Sequence, residues 1–189
     1  MLEVEVKYRL ADSARVEQSL RNWGATVVAE HVEEDHYLNA PDRDFSRTDE
    51  AFRLRRIGQR NLLTFKGPRH DGTSKTRPEL EVLCPDGDDS AEAFLKLFRY
   101  LGYRFTAVVR KRRKIYEWKR DGFTLHACLD DVEQVGRFIE LEIMVPDSQY
   151  PAAKASVLQV AAELELGQTE TRSYLEQLLG HTVPPGGVR

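Results

Sequence analysis

The sequence predicts an α+β fold dominated by antiparallel strands, arranged as one sheet or closed into a barrel. Three observations predict it. Long segments alternate apolar and charged residues with a period of two, as strands with one apolar face do. Turn signals such as Gly58-Gln59-Arg60-Asn61 and Asp121-Gly122 join neighbouring segments as hairpins. Only a few stretches with helical spacing interrupt the strands.

Residues 2–10 form the first predicted strand, with Leu2, Val4, Val6 and Tyr8 on one face and Glu3, Glu5, Lys7 and Arg9 on the other. Asp12 or Ser13 caps a helix carrying Val16, Leu20 and Trp23 on one side, and Gly24 ends it. A long strand follows over 25–38, then a loop containing Ala40-Pro41-Asp42-Arg43-Asp44-Phe45. Strands over 51–57 and 62–67 make a hairpin, a polar loop covers 68–75, and a strand covers 76–84. Pro85 to Ser90 breaks the chain and starts a helix whose stripe Phe94, Leu97, Phe98 and Leu101 is predicted as core, as is Trp23; Gly102 stops the helix. Strands over 103–118 and 123–131 pair across Asp121-Gly122, and 137–145 is the last long strand. Helices over 150–166 and 172–179 follow, and a Pro/Gly tail is expected to fray.

The bulk numbers narrow the function classes. The chain has 189 residues, 41% hydrophobic and 31% charged, which gives a full core and no disordered character. Residues 1–180 are read as a single domain and 181–189 as a C-terminal tail. A net charge of −3 gives no basic footprint for nucleic acid. No signal peptide is expected, and no apolar run approaches the ~20 residues of a membrane span, so no membrane partner is expected. Cys84 and Cys128 make neither a disulfide framework nor a metal cluster, which fits a cytoplasmic location. His31, His36, His70, His126 and His181 lack metal-ligand spacing, although His126 shares the face of Asp130. Trp118, beside a turn, is expected to pack at a rim.

The informative pattern is a charged face that returns in strand after strand. Glu3, Glu5 and Lys7 are followed by Arg53 and Arg55, Thr64 and Lys66, Arg77, Glu79 and Glu81, Lys111 and Arg113, His126 and Asp130, and Glu140 and Glu142. The residues between them, such as Phe52, Leu54, Leu63, Phe65, Ile139 and Leu141, make the apolar face. An open sheet would show the charged face to water; a closed sheet would enclose it. Enclosed charges must be paired or bound, and cations and carboxylates here are nearly balanced and segregated by strand, which favours closure. Arginine gives bidentate donors to phosphate, lysine gives a point charge, and clustered carboxylates suit Mg²⁺ or Mn²⁺. Together they fit a polyphosphate with its metals.

In order, Glu3-x-Glu5-x-Lys7, Arg53-x-Arg55, Thr64-x-Lys66, Glu79-x-Glu81, Lys111-x-Arg113 and Glu140-x-Glu142 resemble the motifs of the CYTH superfamily, the triphosphate tunnel metalloenzymes, over nearly the whole chain. Asp35-His36-Tyr37-Leu38, Lys66-Gly67-Pro68, Leu129-Asp130-x-Val132 and Arg172-Ser173-Tyr174 look most like its class IV adenylate cyclases. The resemblance implies a closed eight-stranded antiparallel β-barrel tunnel with a charged lumen and helices packed outside, a divalent metal, ATP or inorganic triphosphate as substrate, and a homodimer. It implies metal ligands at Glu3, Glu5, Asp130, Glu140 and Glu142, with Glu79 and Glu81 as further ligands or as partners orienting the arginines. Lys7, Arg53, Arg55, Lys66, Lys111 and Arg113 would grip phosphate, with a contact from Arg77; Arg172 lies where a related triphosphatase branch has a lysine. Tyr37 matches a tyrosine that accompanies the N-terminal lysine in the tripolyphosphatase branch. In the run Arg110-Lys111-Arg112-Arg113-Lys114 the motif register turns Lys111 and Arg113 inward and Arg110 and Arg112 outward. The implied reaction is conversion of ATP to cyclic AMP and pyrophosphate. The alternatives are a tripolyphosphatase or nucleoside or thiamine triphosphatase of the same fold, and a non-catalytic polyphosphate-binding module.

Overall fold

A computed structural model describes residues 2–68 and 78–180. Its strands are β1 (Leu2–Arg9), β2 (Thr26–Asn39), β3 (Ala51–Ile57), β4 (Arg60–Lys66), β5 (Glu79–Cys84), β6 (Arg104–Arg120), β7 (Phe123–Val132) and β8 (Gly136–Val145). The helices are α1 (Ser13–Asn22), α2 (Phe45–Thr48), α3 (Asp88–Tyr100), α4 (Tyr150–Glu163) and α5 (Tyr174–Leu178). All eight strands form one sheet in the order β1-β8-β7-β6-β2-β3-β4-β5, and every neighbouring pair is antiparallel.

The expected closed barrel is corrected to a curled half-barrel. β1 pairs only with β8 and β5 only with β4 among the described residues, so two edges remain. Closure needs a stagger that brings both edges into hydrogen-bonding register. Here β1 and β5 approach without a ladder between them: Glu3 of β1 feels both Lys66 and Glu79, which pair with each other at 2.8 Å across β4 and β5.

The convex side carries the main core. Val4, Tyr8, Leu125, Leu129, Ile139, Leu141 and Ile143 of the sheet pack with Val16 and Leu20 of α1 and with Ala153, Val157 and Val160 of α4. Each such aliphatic side chain, fully buried, contributes about 1.5–3 kcal/mol. Asp12 caps α1 by accepting from Arg15 N at 3.0 Å, and Trp118 is buried against Trp23 with ring centroids 6.3 Å apart. α3 covers β3 through Phe98, whose ring meets Phe52 edge-on at 5.0 Å. The reading of its stripe as core is corrected there, since Leu97 and Leu101 stay 49% and 57% exposed. α2 replaces the end of the predicted loop, because Asp44 caps it by accepting from Ser46 N. The β3–β4 turn is tighter than expected, Gly58-Gln59 alone, with Gly58 at a φ of 58°.

The helices are not all outside. α5 lies against the concave, charged side, where Tyr174, Leu175 and Leu178 join Tyr37, Val109, Val132 and Phe138 in a second apolar cluster. These sheet residues share the parity of Lys111, Asp130 and Glu140, so α5 fills one end of the charged face.

Candidate active site

Strand register assembles the concave face in cross-strand rows. Glu117, His126, Glu142 and Glu5 face one another across β6, β7, β8 and β1. The next row runs Ile115, Cys128, Glu140, Lys7. Arg113 opposes Asp130, Lys111 opposes Glu33, Asp35 opposes Arg55, and Tyr37 opposes Arg53. Arg53 continues to Thr64 and Glu81, and Lys66 opposes Glu79.

On one side of this face, cations and carboxylates interlock. Arg113 donates to Asp130 through Nε at 2.7 Å and Nη2 at 2.5 Å, and also to Glu140. Lys111 Nζ lies 3.1 Å from Glu33 and 3.7 Å from Asp130. Arg55 grips Asp35 with two bonds, at 2.6 and 2.8 Å, and reaches Glu33 at 3.1 Å. Arg53 donates to Asp35 at 3.1 Å and to the Tyr37 hydroxyl at 3.2 Å. Burial alone would raise the Glu33 carboxyl, but Lys111, Arg55 and Arg113 outweigh it and hold it near 2. Asp35 is held low in the same way, against burial, by Arg53 and Arg55. Arg53 Nε is buried without an acceptor.

On the other side, glutamates face glutamates. Burial pushes Glu142 up to about 8, with Glu140, Glu5 and Glu3 adding repulsion. Glu3 reaches solvent at the edge of the curl, yet desolvation and the charges of Glu5, Glu79 and Glu140 push it up to about 7. The thiol of Cys128 is raised by burial and by the neighbouring Glu142.

The predicted residues divide accordingly. Lys7, Tyr37, Arg53, Arg55, Lys111, Arg113, Asp130, Glu140 and Glu142 converge on the concave face with Glu3 and Glu5. Lys111 is 3% exposed while Arg110 and Arg112 are exposed, so the inward register of the basic run holds. Asp130 and Glu140, expected as metal ligands, are engaged by Arg113. On the β4–β5 edge, Glu79 pairs with Lys66 at 2.8 Å and Glu81 accepts from Thr64 at 3.3 Å. The Arg172 guanidinium is held by Glu170 at 2.8 Å; its carbonyl, not its charge, meets Lys7. Arg77, His70, His181 and the tail 181–189 lie outside the described residues.

Sequence reasoning missed Glu33 and Asp35 as members of the site. Their signal was parity with Tyr37, two and four residues on. It was masked because Glu33, Glu34, Asp35 and His36 are consecutive polar residues.

Among the described residues, no three His, Cys, Asp or Glu side chains are gathered at metal-ligating distance. The donor set of Glu3, Glu5 and Glu142 nonetheless fits a hard divalent cation. It offers only carboxylate oxygens, its members repel one another, and Mg²⁺ retains waters that bridge to spaced ligands.

A CYTH domain model matches residues 1–174. The chain is 35% identical over 179 residues to a putative adenylate cyclase of Methanocaldococcus jannaschii, covering 93% of this chain and 98% of that one. It is 31% identical over 180 residues to the adenylate cyclase CyaB of Aeromonas hydrophila, covering 91% and 86%. The PH1819 protein of Pyrococcus horikoshii has the same fold, with a TM-score of 0.79 at 36% identity over 94% of this chain and 98% of that one. With its strand order, its charged concave face and this agreement, the chain belongs to the CYTH domain family.

Proposed function

We propose that this protein converts ATP to cyclic AMP and pyrophosphate with a divalent metal, Mg²⁺ or Mn²⁺, on the concave face of the half-barrel. The observation that carries the reading is the juxtaposition on one face of a wall where Glu3, Glu5 and Glu142 repel one another with a wall where lysines and arginines interlock with carboxylates. A polyphosphate and its metal ion satisfy both walls at once. The two relatives named as adenylate cyclases support the cyclase over other reactions of triphosphates.

In this reading Lys7, Lys111, Arg113, Arg53, Arg55 and Lys66 bind the phosphates. Glu33, Asp35 and Asp130 orient those cations. Glu3, Glu5, Glu140 and Glu142 hold the metal directly or through its waters. A bound divalent ion supplies charge neutralisation and polarises the phosphate oxygens. The ribose 3′-oxygen forms a bond to the α-phosphorus, the bond from that phosphorus to the bridging oxygen breaks, and the 3′ proton passes to solvent water. The lysines and arginines stabilise the leaving pyrophosphate. Incubation with Mn²⁺ and ATP, followed by chromatography, is expected to yield cyclic AMP and pyrophosphate; orthophosphate as the sole product contradicts the cyclase.

A hydrolase acting on tripolyphosphate or a nucleoside triphosphate is the second reading. It is favoured by the aromatic residues of the concave face, Tyr37, Phe138 and Tyr174, which cluster at the α5 end instead of offering a free stack for adenine. Binding of triphosphate without turnover would identify a polyphosphate-binding module. We further propose a cytoplasmic homodimer that uses the exposed apolar residues of α3 and β5, among them Leu83 at 71% and Tyr100 at 76%. Light scattering at twice the monomer mass is the expected result.

A further inference from the structure

Among the described residues α5 is the one helix on the charged face, and its placement has a local cause. Ser173 caps it by accepting from Glu176 N at 3.1 Å, and the Glu176 carboxylate returns to Ser173 N, which fixes the entry angle. The preceding strap is tied to β1: Thr169 bridges Tyr8, and Glu170 N donates to the Lys7 carbonyl at 2.7 Å. Arg9 then holds Gln177 at 2.6 Å. The consequence is that Tyr174 points into the face and is 8% exposed.

Two of the phosphate-gripping cations meet this one side chain, and a third is reached through Asp130. Lys7 Nζ lies 4.3 Å from the ring centroid and Lys111 Nζ 5.3 Å from it, close enough for cation–π attraction. The hydroxyl donates to Asp130 Oδ2 at 2.8 Å, the same carboxylate that Arg113 grips twice. Phe138 supports the ring at 5.0 Å. Two ammonium groups are therefore steadied by the ring, and a guanidinium is steadied through Asp130.

We propose that Tyr174 is a positioning residue that holds Lys7, Lys111 and Arg113 convergent on the phosphate chain. The proposal rests on the triphosphate reading given above. One residue reaches Lys7 and Lys111 through its ring and Arg113 through the Asp130 carboxylate. The two chemistries of the side chain separate its two effects. Ring loss frees the lysines, and hydroxyl loss frees Asp130 and hence Arg113.

The test measures tripolyphosphate affinity by calorimetry with Mg²⁺ present, together with kcat and KM for ATP and thermal stability. Tyr174→Leu is expected to weaken tripolyphosphate binding about tenfold and raise KM in parallel. Tyr174→Phe is expected to recover the part of the affinity that the lysines supply, while kcat falls severalfold through the freed Arg113. If Tyr174→Leu loses stability yet binds tripolyphosphate like the wild type, Tyr174 is only a packing residue and the proposal is overturned. Should the Leu variant not fold, the Phe variant decides, since an unchanged kcat overturns the role assigned to the hydroxyl. Wild-type protein that binds no tripolyphosphate would instead overturn the triphosphate reading, and the positioning role with it.

Discussion

Glu33 and Glu142 stand on the same concave face, both largely removed from water, and they behave in opposite ways. Glu33, on the wall built from β2, β3 and β6, is surrounded by Lys111, Arg55 and Arg113 and is held near 2. Glu142, on the wall built from β1 and β8, faces Glu140, Glu5 and Glu3 and is pushed up to about 8. Burial acts on both in the same direction, so neighbours decide the sign. The first wall is internally satisfied and behaves as scaffold with cations presented on it. The second keeps an excess of carboxylates, although Arg113 reaches Glu140 and lowers Glu142.

The largest expected effect breaks the satisfied wall. Asp35→Asn leaves Arg53 and Arg55 buried beside a neutral amide, and removing one partner of a buried ion pair costs about 3–5 kcal/mol. Urea denaturation checks this; a loss below about 1 kcal/mol would show that water, not Asp35, satisfies the arginines.

The next is a pH effect on the same wall. Glu33 titrates lower in the folded chain than its ordinary 4.5, so its stabilisation is complete above that value and is lost as pH falls toward 2. The contribution is about 3 kcal/mol. Denaturation midpoints of the wild type and Glu33→Gln between those limits check it: the wild-type curve is the steeper.

On the glutamate-rich wall the expected stability change is small and the functional change is large. Glu5→Gln and Glu142→Gln each remove one of a set of repelling carboxylates. Folding stability is expected to hold within about 1 kcal/mol, and metal-dependent turnover to fall at least ~100-fold. Near-normal turnover in both variants would refute the metal assignment.

Much of this contrast was legible in the sequence. Glu3-x-Glu5-x-Lys7 and Glu140-x-Glu142 sit in strands whose alternate residues are apolar, so their face was readable from period alone. The inward register of Lys111 and Arg113 in a run of five basic residues needed the motif spacing, and their burial agrees with it. Glu33 and Asp35 were hidden by the polar run around them and by register irregularities in β2 between Val27 and Ala29 and between Tyr37 and Leu38. Closure was over-predicted because alternation reports which face a residue takes, not whether two distant edges pair. The place of α5 was hidden for a similar reason: Tyr174 and Leu178 give a short apolar stripe, and nothing local says that it meets the charged side.

In the proposed function one face holds a triphosphate between a cation-rich wall and a glutamate-rich wall that takes the metal. The most direct measurement is the calorimetric titration of tripolyphosphate into the wild type and Glu142→Gln, each with Mg²⁺ and with a chelator. Wild-type binding is expected to be at least ~10-fold tighter with Mg²⁺, and Glu142→Gln to lose that difference. Wild-type affinity that is the same with and without Mg²⁺ would contradict it.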